Sequence, residues 1–289
     1  MHSTRFGRCL SVLLLVGAVS GCSTVGGPDL SKMSFSDEAL VGKFVWYDLI
    51  TDDAEVARRF YGGLFGWTFE TTEGPFGETY LLVRDDGVYI GGIVTRADPS
   101  DGTEFSRWLP YVSVADVDAS ADRARAAGGE VVVAPLDVRL GRVAAIVDPE
   151  GAAIGLARSN IGDPDDATTA GGPGRVVWTE LLTGDEPAAA SFYEAVVGYK
   201  AATVERRGGQ YTLLSDGQVD RAGILLNPTD WEPQWLTYFG VEDPAAAAER
   251  AAALGGRVLL EPTSEVREGT MALVTDPTGA VLALQKSTR

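Results

Sequence analysis

Histidine and cysteine are almost missing from this chain of 289 residues. The single histidine is His2, and the two cysteines are Cys9 and Cys22, close to the N-terminus. Beyond Cys22 the chain therefore has neither imidazole nor thiolate. This excludes a disulfide framework, a thiolate-held metal and a histidine-dependent catalytic triad in the rest of the protein.

Positive charge is also scarce, since 24 Lys and Arg face 41 Asp and Glu, for a net charge of −17. Such a surface repels phosphate backbones, and no cluster of Lys or Arg stands out. We therefore expect no nucleic-acid partner. Hydrophobic residues make up 45% of the chain, which indicates well-packed globular domains.

The N-terminal segment has the features of an export signal. Arg5 and Arg8 precede an apolar run over 10–19, which is too short for a transmembrane helix of about 20 residues. The run ends in Val19-Ser20-Gly21-Cys22, which resembles a bacterial lipobox. We expect a lipoprotein signal peptide (1–21), acylation of Cys22, a tether (22–41) and a lipid-anchored protein in the cell envelope. A plain secretory signal with an incidental cysteine is the alternative.

The rest of the chain is an internal repeat. Gly42-Lys43-Phe44-Val45-Trp46-Tyr47-Asp48-Leu49 returns as Gly174-Arg175-Val176-Val177-Trp178-Thr179-Glu180-Leu181, and Phe60-Tyr61 returns as Phe192-Tyr193. Asp148-Pro149-Glu150-Gly151 returns as Asp276-Pro277-Thr278-Gly279. These matches predict two modules, 42–158 and 174–287, joined by a linker at 159–173. We expect them to pack as an intramolecular pseudo-dimer in a monomeric protein.

Each module contains a finer repeat of one strand, one helix and three strands. In the first module, strand 44–50 and helix 53–65 precede strands 67–71, 78–84 and 88–95, and Asp52 with Glu55 predicts a capping box. The order then repeats from strand 108–114, with Asp116 as the predicted N-cap of the second helix. The prediction is an α+β fold of four βαβββ units, paired into two cup-shaped modules.

The order of these motifs resembles the vicinal oxygen chelate superfamily, which includes glyoxalase I, bleomycin-resistance proteins and extradiol dioxygenases. The resemblance spans nearly all of 42–287 and implies a ligand-binding cup in each module. In many members His, Gln or Glu side chains hold a divalent metal there. The corresponding positions here are Trp46, Leu109 and Gly155 in the first module and Trp178, Leu236 and Ala283 in the second. None of these side chains is a ligand for a hard or borderline metal, so we expect no metal and no cofactor.

The expected lining of each cup is aromatic with one acid. By the two-residue period of a strand, Asp48 shares a face with Trp46, and Glu180 shares a face with Trp178. The candidate ligand-binding residues are Trp46, Asp48, Leu109, Tyr111 and Arg139 in the first cup and Trp178, Glu180, Leu236, Tyr238 and Arg267 in the second. Aromatic walls around an acid suit a planar or cationic small molecule.

Structural interpretations of the same residues remain open. The two tryptophans would then be plain core residues, the two acids would bond only backbone groups, and the two arginines would be solvated. Three functions compete at this point. They are a metal-free binding protein similar to bleomycin-resistance proteins, a cofactor-free lyase, isomerase or hydrolase with Asp48 or Glu180 as acid/base, and an envelope interaction scaffold.

Overall fold

The computed structural model describes residues 29–96, 106–167, 171–206, 209–228 and 231–287. The expected signal peptide and the first part of the expected tether, residues 22–28 with Cys22, lie outside these ranges. Among the described residues, no helix is long and apolar enough to cross a membrane.

The first module contains eight strands and two helices in the predicted order. They are β1 (Phe44–Thr51), α1 (Ala54–Phe65), β2 (Thr68–Glu73), β3 (Thr79–Asp85), β4 (Val88–Thr95), β5 (Arg107–Ser113), α2 (Val117–Ala126), β6 (Glu130–Val138), β7 (Gly141–Val147) and β8 (Ala153–Ser159). The predicted βαβββ units are therefore present, with boundaries within about two residues of those expected from the hydrophobic period.

The second module repeats this order. Its elements are β9 (Val176–Thr183), α3 (Glu186–Val197), β10 (Lys200–Arg206), β11 (Gly209–Ser215), β12 (Asp220–Leu226), β13 (Gln234–Val241), α4 (Pro244–Ala253), β14 (Arg257–Leu260), β15 (Met271–Thr275) and β16 (Val281–Lys286). The α+β prediction with four βαβββ units is confirmed.

Each module forms one mixed sheet of eight strands, in the order β2-β3-β4-β1-β5-β8-β7-β6 and β10-β11-β12-β9-β13-β16-β15-β14. The two units of a module meet where β1 pairs with β5, and β9 with β13, in antiparallel register. The first strand of each unit pairs in parallel with the last strand of the same unit. The strand that carries the acid therefore lies in the middle of its sheet.

The helix caps follow the sequence with one correction. Asp116 accepts a hydrogen bond from the backbone N–H of Ala119, as predicted. The N-cap of α1 is Asp53, not the predicted Asp52: its carboxylate accepts from the backbone N–H groups of Glu55 and Val56. With two adjacent aspartates, the choice depends on where the chain leaves the extended conformation, and Asp53 is still extended.

The two modules share one core of aromatic rings. Phe65, Trp67 and Trp108 of the first module pack against Phe239 of the second, with ring centroids 5.2 to 5.5 Å apart. The indole N–H of Trp67 also donates to the carbonyl of Gly174. Packing is therefore the role of Trp67, and aromatic burial on this scale stabilises the interface strongly.

The Asp-Pro-x-Gly turns connect the modules reciprocally. One oxygen of Asp148 accepts three backbone N–H bonds within its own turn, and the other accepts from the hydroxyl of Tyr193 at 3.0 Å. Asp276 accepts in the same way from the hydroxyl of Tyr61 at 3.1 Å. Each Phe-Tyr helix thus donates to the buried turn of the other module, which leaves the opposite sheet faces free to form the cups.

Candidate functional site

The acid of the first cup lies in a cluster of aromatic donors. Asp48 is on β1, and its Oδ1 lies 2.9 Å from the indole N–H of Trp46. The hydroxyl of Tyr80 donates to the same oxygen, and the side chain of Tyr111 lies close enough to this carboxyl to lower its pKa. We refer to Trp46, Asp48, Tyr80 and Tyr111 as cup 1. All four residues are half-buried, so burial acts on this carboxyl while part of the cluster still reaches solvent.

The second cup repeats the cluster and is closed. The two oxygens of Glu180 accept from the hydroxyls of Tyr211 at 2.6 Å and Tyr238 at 2.5 Å, and Trp178 donates to the Tyr211 hydroxyl at 2.8 Å. We refer to Trp178, Glu180, Tyr211 and Tyr238 as cup 2. Glu180 is fully buried there, unlike Asp48.

Strand register explains why these residues meet. Trp46 pairs with Tyr111 across β1 and β5, and Trp178 pairs with Tyr238 across β9 and β13. The tyrosine on β3 or β11 comes from two strands away. It reaches the acid across a glycine, since Gly92 pairs with Asp48 and Gly223 pairs with Glu180. A Cβ on Gly92 or Gly223 would lie under 2.0 Å from the hydroxyl of Tyr80 or Tyr211.

Tyr80 and Tyr211 are site residues that the sequence analysis missed. Their signal was present in the repeat, because Tyr80 with Gly92 recurs as Tyr211 with Gly223. The two-residue period relates residues only within one strand, so it does not identify a side chain that arrives from two strands away.

The other predicted residues take different places. Leu109 and Leu236 lie directly opposite Asp48 and Glu180 and are buried. Arg267 reaches cup 2, where its Nη2 donates to Glu180 Oε1 at 2.7 Å. Arg139 lies exposed in the turn between β6 and β7, outside cup 1. The repeat predicts equivalent positions for Arg139 and Arg267, and the structure shows that only Arg267 reaches the acid of its cup.

Burial shapes the electrostatics of cup 1. It raises the pKa of Asp48, and the hydrogen bonds from Tyr80, Trp46 and Tyr111 oppose that rise. Burial, followed by the nearby Asp48 charge, raises the pKa of the Tyr80 and Tyr111 phenols well above its usual value. Both phenols therefore stay protonated at neutral pH and keep donating. Among the described residues, no Lys or Arg forms an ion pair with Asp48, which leaves its negative charge uncompensated.

The donor set of the cups does not fit a metal ion. Within the described ranges, no group of three or more His, Cys, Asp or Glu residues is placed to hold one. In cup 1 the third metal position of the family is Gly155, and a Cβ there would lie 2.1 Å from the ring of Tyr111. A longer ligand side chain would displace that ring, and a single carboxylate is a poor site for a hard cation.

Two depressions on the described surface lie away from the cups. One lies between the modules and is lined by Arg107, Trp108, Gln234 and Trp235, and the other lies at the start of α1. Neither holds an acid surrounded by aromatic donors. The cups remain the places where charge and aromatic faces converge.

Each module combines two βαβββ units in one eight-stranded sheet, and the chain has two such modules in tandem. This arrangement defines the class of protein as a tandem-module α+β protein. The chain belongs to the glyoxalase/bleomycin resistance protein/dioxygenase superfamily, whose family model matches residues 43–156 and 175–284. This confirms the resemblance inferred from the repeated motifs.

Relatives and structures of this family match most of the chain. A putative glyoxylase, CFP32, of Mycobacterium tuberculosis is 36% identical, over 83% of this chain and 93% of its own. The anthracycline biosynthesis protein DauV of a Streptomyces species is 33% identical, over 83% of this chain and 91% of its own. The Mn(II)-bound glyoxalase of Novosphingobium aromaticivorans shares the fold at 16% identity with a TM-score of 0.59, over 86% of this chain and 83% of its own.

Proposed function

We propose that the protein binds a small aromatic or cationic molecule in cup 1 without a metal ion. The observation that carries the proposal is the uncompensated carboxylate of Asp48 among three aromatic donors in a partly exposed cup. The faces of Trp46, Tyr80 and Tyr111 offer flat apolar contact, and the carboxylate attracts a positive group. The name of the Streptomyces relative, an anthracycline biosynthesis protein, adds support for an aromatic small molecule in this family.

Intrinsic fluorescence tests this proposal, because a ligand at Asp48 disturbs the indole of Trp46. The full-length chain, purified in mild detergent, is titrated with a panel of planar aromatic compounds, amines and uncharged analogues. We expect a saturable change with at least one class, and we expect Trp46→Phe to remove it. The chain has six tryptophans, so Trp231→Phe, which lies in the second module and packs beside cup 2, is the matched control. A flat response across the panel contradicts the proposal.

Acid–base catalysis is the second candidate. The raised pKa of Asp48, caused first by burial, brings the carboxyl closer to the range in which it exchanges protons at neutral pH. In this interpretation Asp48 or Glu180 moves a proton and an adjacent tyrosine orients the substrate. Turnover that survives in the Asp48→Asn, Glu180→Gln double variant contradicts it.

We also propose that the protein is exported and anchored to a membrane of the cell envelope through acylated Cys22. Support comes from the order of positive residues, apolar run and Val19-Ser20-Gly21-Cys22. Mass spectrometry of the N-terminal peptide tests this. An unmodified Cys22, or a mature chain that starts elsewhere, contradicts it.

A further inference from the structure

Cup 2 contains a positive group that comes from the chain itself. The guanidinium of Arg267 donates to Glu180 Oε1 at 2.7 Å, and its central carbon lies 4.8 Å from the ring centre of Tyr238. A planar cation thus bonds the acid and stacks over the aromatic ring at the same time. Both contacts, one with a carboxylate and one with an aromatic face, are favourable for a guanidinium.

The backbone that delivers Arg267 is unusual. Arg267 has φ 46° and Glu268 has φ 57°, so two successive residues with side chains lie in the left-handed region. Such conformations are strained for residues with a side chain and persist where surrounding contacts hold them. The ion pair between Arg267 and Glu180 is such a contact, and it stabilises the strained turn.

The equivalent connection in the first module is too short to carry such a segment. The loop between β14 and β15 spans residues 261–270, whereas only Arg139 and Leu140 separate β6 from β7. The acid of cup 1 is also shorter by one methylene, since Asp48 takes the place of Glu180. The remaining elements are equivalent: Tyr111 takes the place of Tyr238, and Tyr80 that of Tyr211. Cup 1 therefore has the same walls and the same charge, and no arginine among the described residues pairs with its acid.

We propose that Arg267 is a built-in occupant of cup 2 and that cup 1 takes an external ligand of the same chemistry, a planar amidinium or guanidinium cation. This inference rests on the proposed binding function of cup 1 and names its ligand class. Such a cation donates N–H bonds to Asp48 and stacks on Tyr111, as Arg267 does on Glu180 and Tyr238.

The probe for the test is benzamidine, an aromatic amidinium, and the matched probe is benzamide, which has nearly the same shape and no charge. Calorimetric titration of the full-length chain is expected to give one benzamidine per chain. Benzamide is expected to bind at least tenfold more weakly, and Asp48→Asn is expected to weaken benzamidine at least tenfold. Asp122→Asn, on an exposed face of α2, is the control for the loss of one carboxylate.

A second test asks whether removal of Arg267 opens cup 2 to the same probe. Arg267→Gly removes the occupant, and glycine suits the left-handed backbone at this position. We expect this variant to bind two benzamidines per chain, and we expect Glu180→Gln added to it to restore one. If Arg267→Gly is too unstable for calorimetry, its melting temperature should rise more with benzamidine than with benzamide.

The outcomes separate this inference from the proposed function. A stoichiometry of one in folded Arg267→Gly, equal binding of benzamide, or equal thermal shifts from both probes overturns the inference. If the fluorescence panel then still identifies an uncharged aromatic ligand that needs Trp46, the binding function stands and only the ligand class is wrong. If no compound of either kind binds, both are contradicted.

Discussion

The hydroxyl oxygen of Tyr47 lies 3.0 Å from that of Thr179, which is the residue at the same position of the second module. A contact between equivalent positions lies on the pseudo-twofold axis that relates the modules. At this axis the face of β1 that carries Tyr47 contacts the face of β9 that carries Thr179. Side chains alternate along a strand, and the neighbouring acids Asp48 and Glu180 therefore project to the opposite faces. The two cups open away from each other, and a ligand in one has no direct contact with the other.

The reciprocal tyrosine–aspartate bonds predict symmetric losses of stability. Tyr61→Phe and Tyr193→Phe each leave a buried oxygen of Asp276 or Asp148 without its hydroxyl donor. We expect each change to lower the free energy of unfolding by about 1–3 kcal/mol. Chemical denaturation measures this, with Tyr89→Phe, whose hydroxyl donates to the partly exposed Glu70, as the control. Losses no larger than that of the control contradict the assigned role.

The raised pKa of Asp48 predicts a pH dependence with a definite sign. Burial is the main cause of the rise, so the folded protein holds this proton more tightly than the unfolded chain does. The resulting stabilisation is fully present below the usual pKa of 3.8 and is lost as pH rises through the folded pKa. Asp48→Asn should therefore flatten this part of the curve of melting temperature against pH. Parallel curves for the variant and the wild type contradict the shift. Cation binding has the opposite dependence, because it needs the ionised carboxylate and weakens as pH falls.

Gly92 predicts a steric test of cup 1. A methyl group at this position meets the hydroxyl and ring of Tyr80 at 1.9 and 2.0 Å, so Gly92→Ala should displace the ring from Asp48. We expect ligand affinity to fall at least tenfold in the fluorescence titration, which is about 1.4 kcal/mol. Gly172→Ala is the matched control, because its Cβ would meet no atom within 4 Å. Unchanged affinity in Gly92→Ala would show that Tyr80 is not part of the binding surface.

The two arginines at related positions predict unequal effects on stability. Arg267→Ala leaves Glu180 buried without its counter-charge, and removing one partner of a buried ion pair costs about 3–5 kcal/mol. The side chain of Arg267 is 30% exposed, so we expect the lower end, about 3 kcal/mol. Arg139→Ala changes an exposed turn and should stay within about 0.5 kcal/mol. Similar losses in the two variants, measured by urea unfolding, contradict the difference in their positions.

Much of the fold could be predicted because the signals are local and repeated. Residues such as Phe60, Leu64 and Asp116 lie on helices whose period and caps depend only on nearby sequence. The family resemblance and the internal repeat then fixed the number and order of units. The prediction of Asp52 as the N-cap is wrong, since the N-cap position depends on a backbone torsion that composition does not determine.

The site was predictable only in part. Trp46, Asp48 and Tyr111 were found because they lie on strands whose alternation is visible in the sequence. Tyr80 was not found, because it reaches Asp48 across an intervening strand, and strand order is a long-range property. Arg139 and Arg267 lie in different places because the loops that carry them differ in length. The hydrophobic period of the sequence does not predict loop conformation.

The reciprocal bonds between the modules also bear on what happens when the chain is divided at the linker. Either half, expressed alone, exposes part of a ring cluster that includes Trp67, Trp108 and Phe239. It also leaves one tyrosine hydroxyl without its aspartate acceptor and one aspartate oxygen without its tyrosine donor. A second copy of the same half offers the matching tyrosine and aspartate. We therefore expect separate halves to associate into homodimers, in which two copies exchange these bonds as the two modules of the intact chain do.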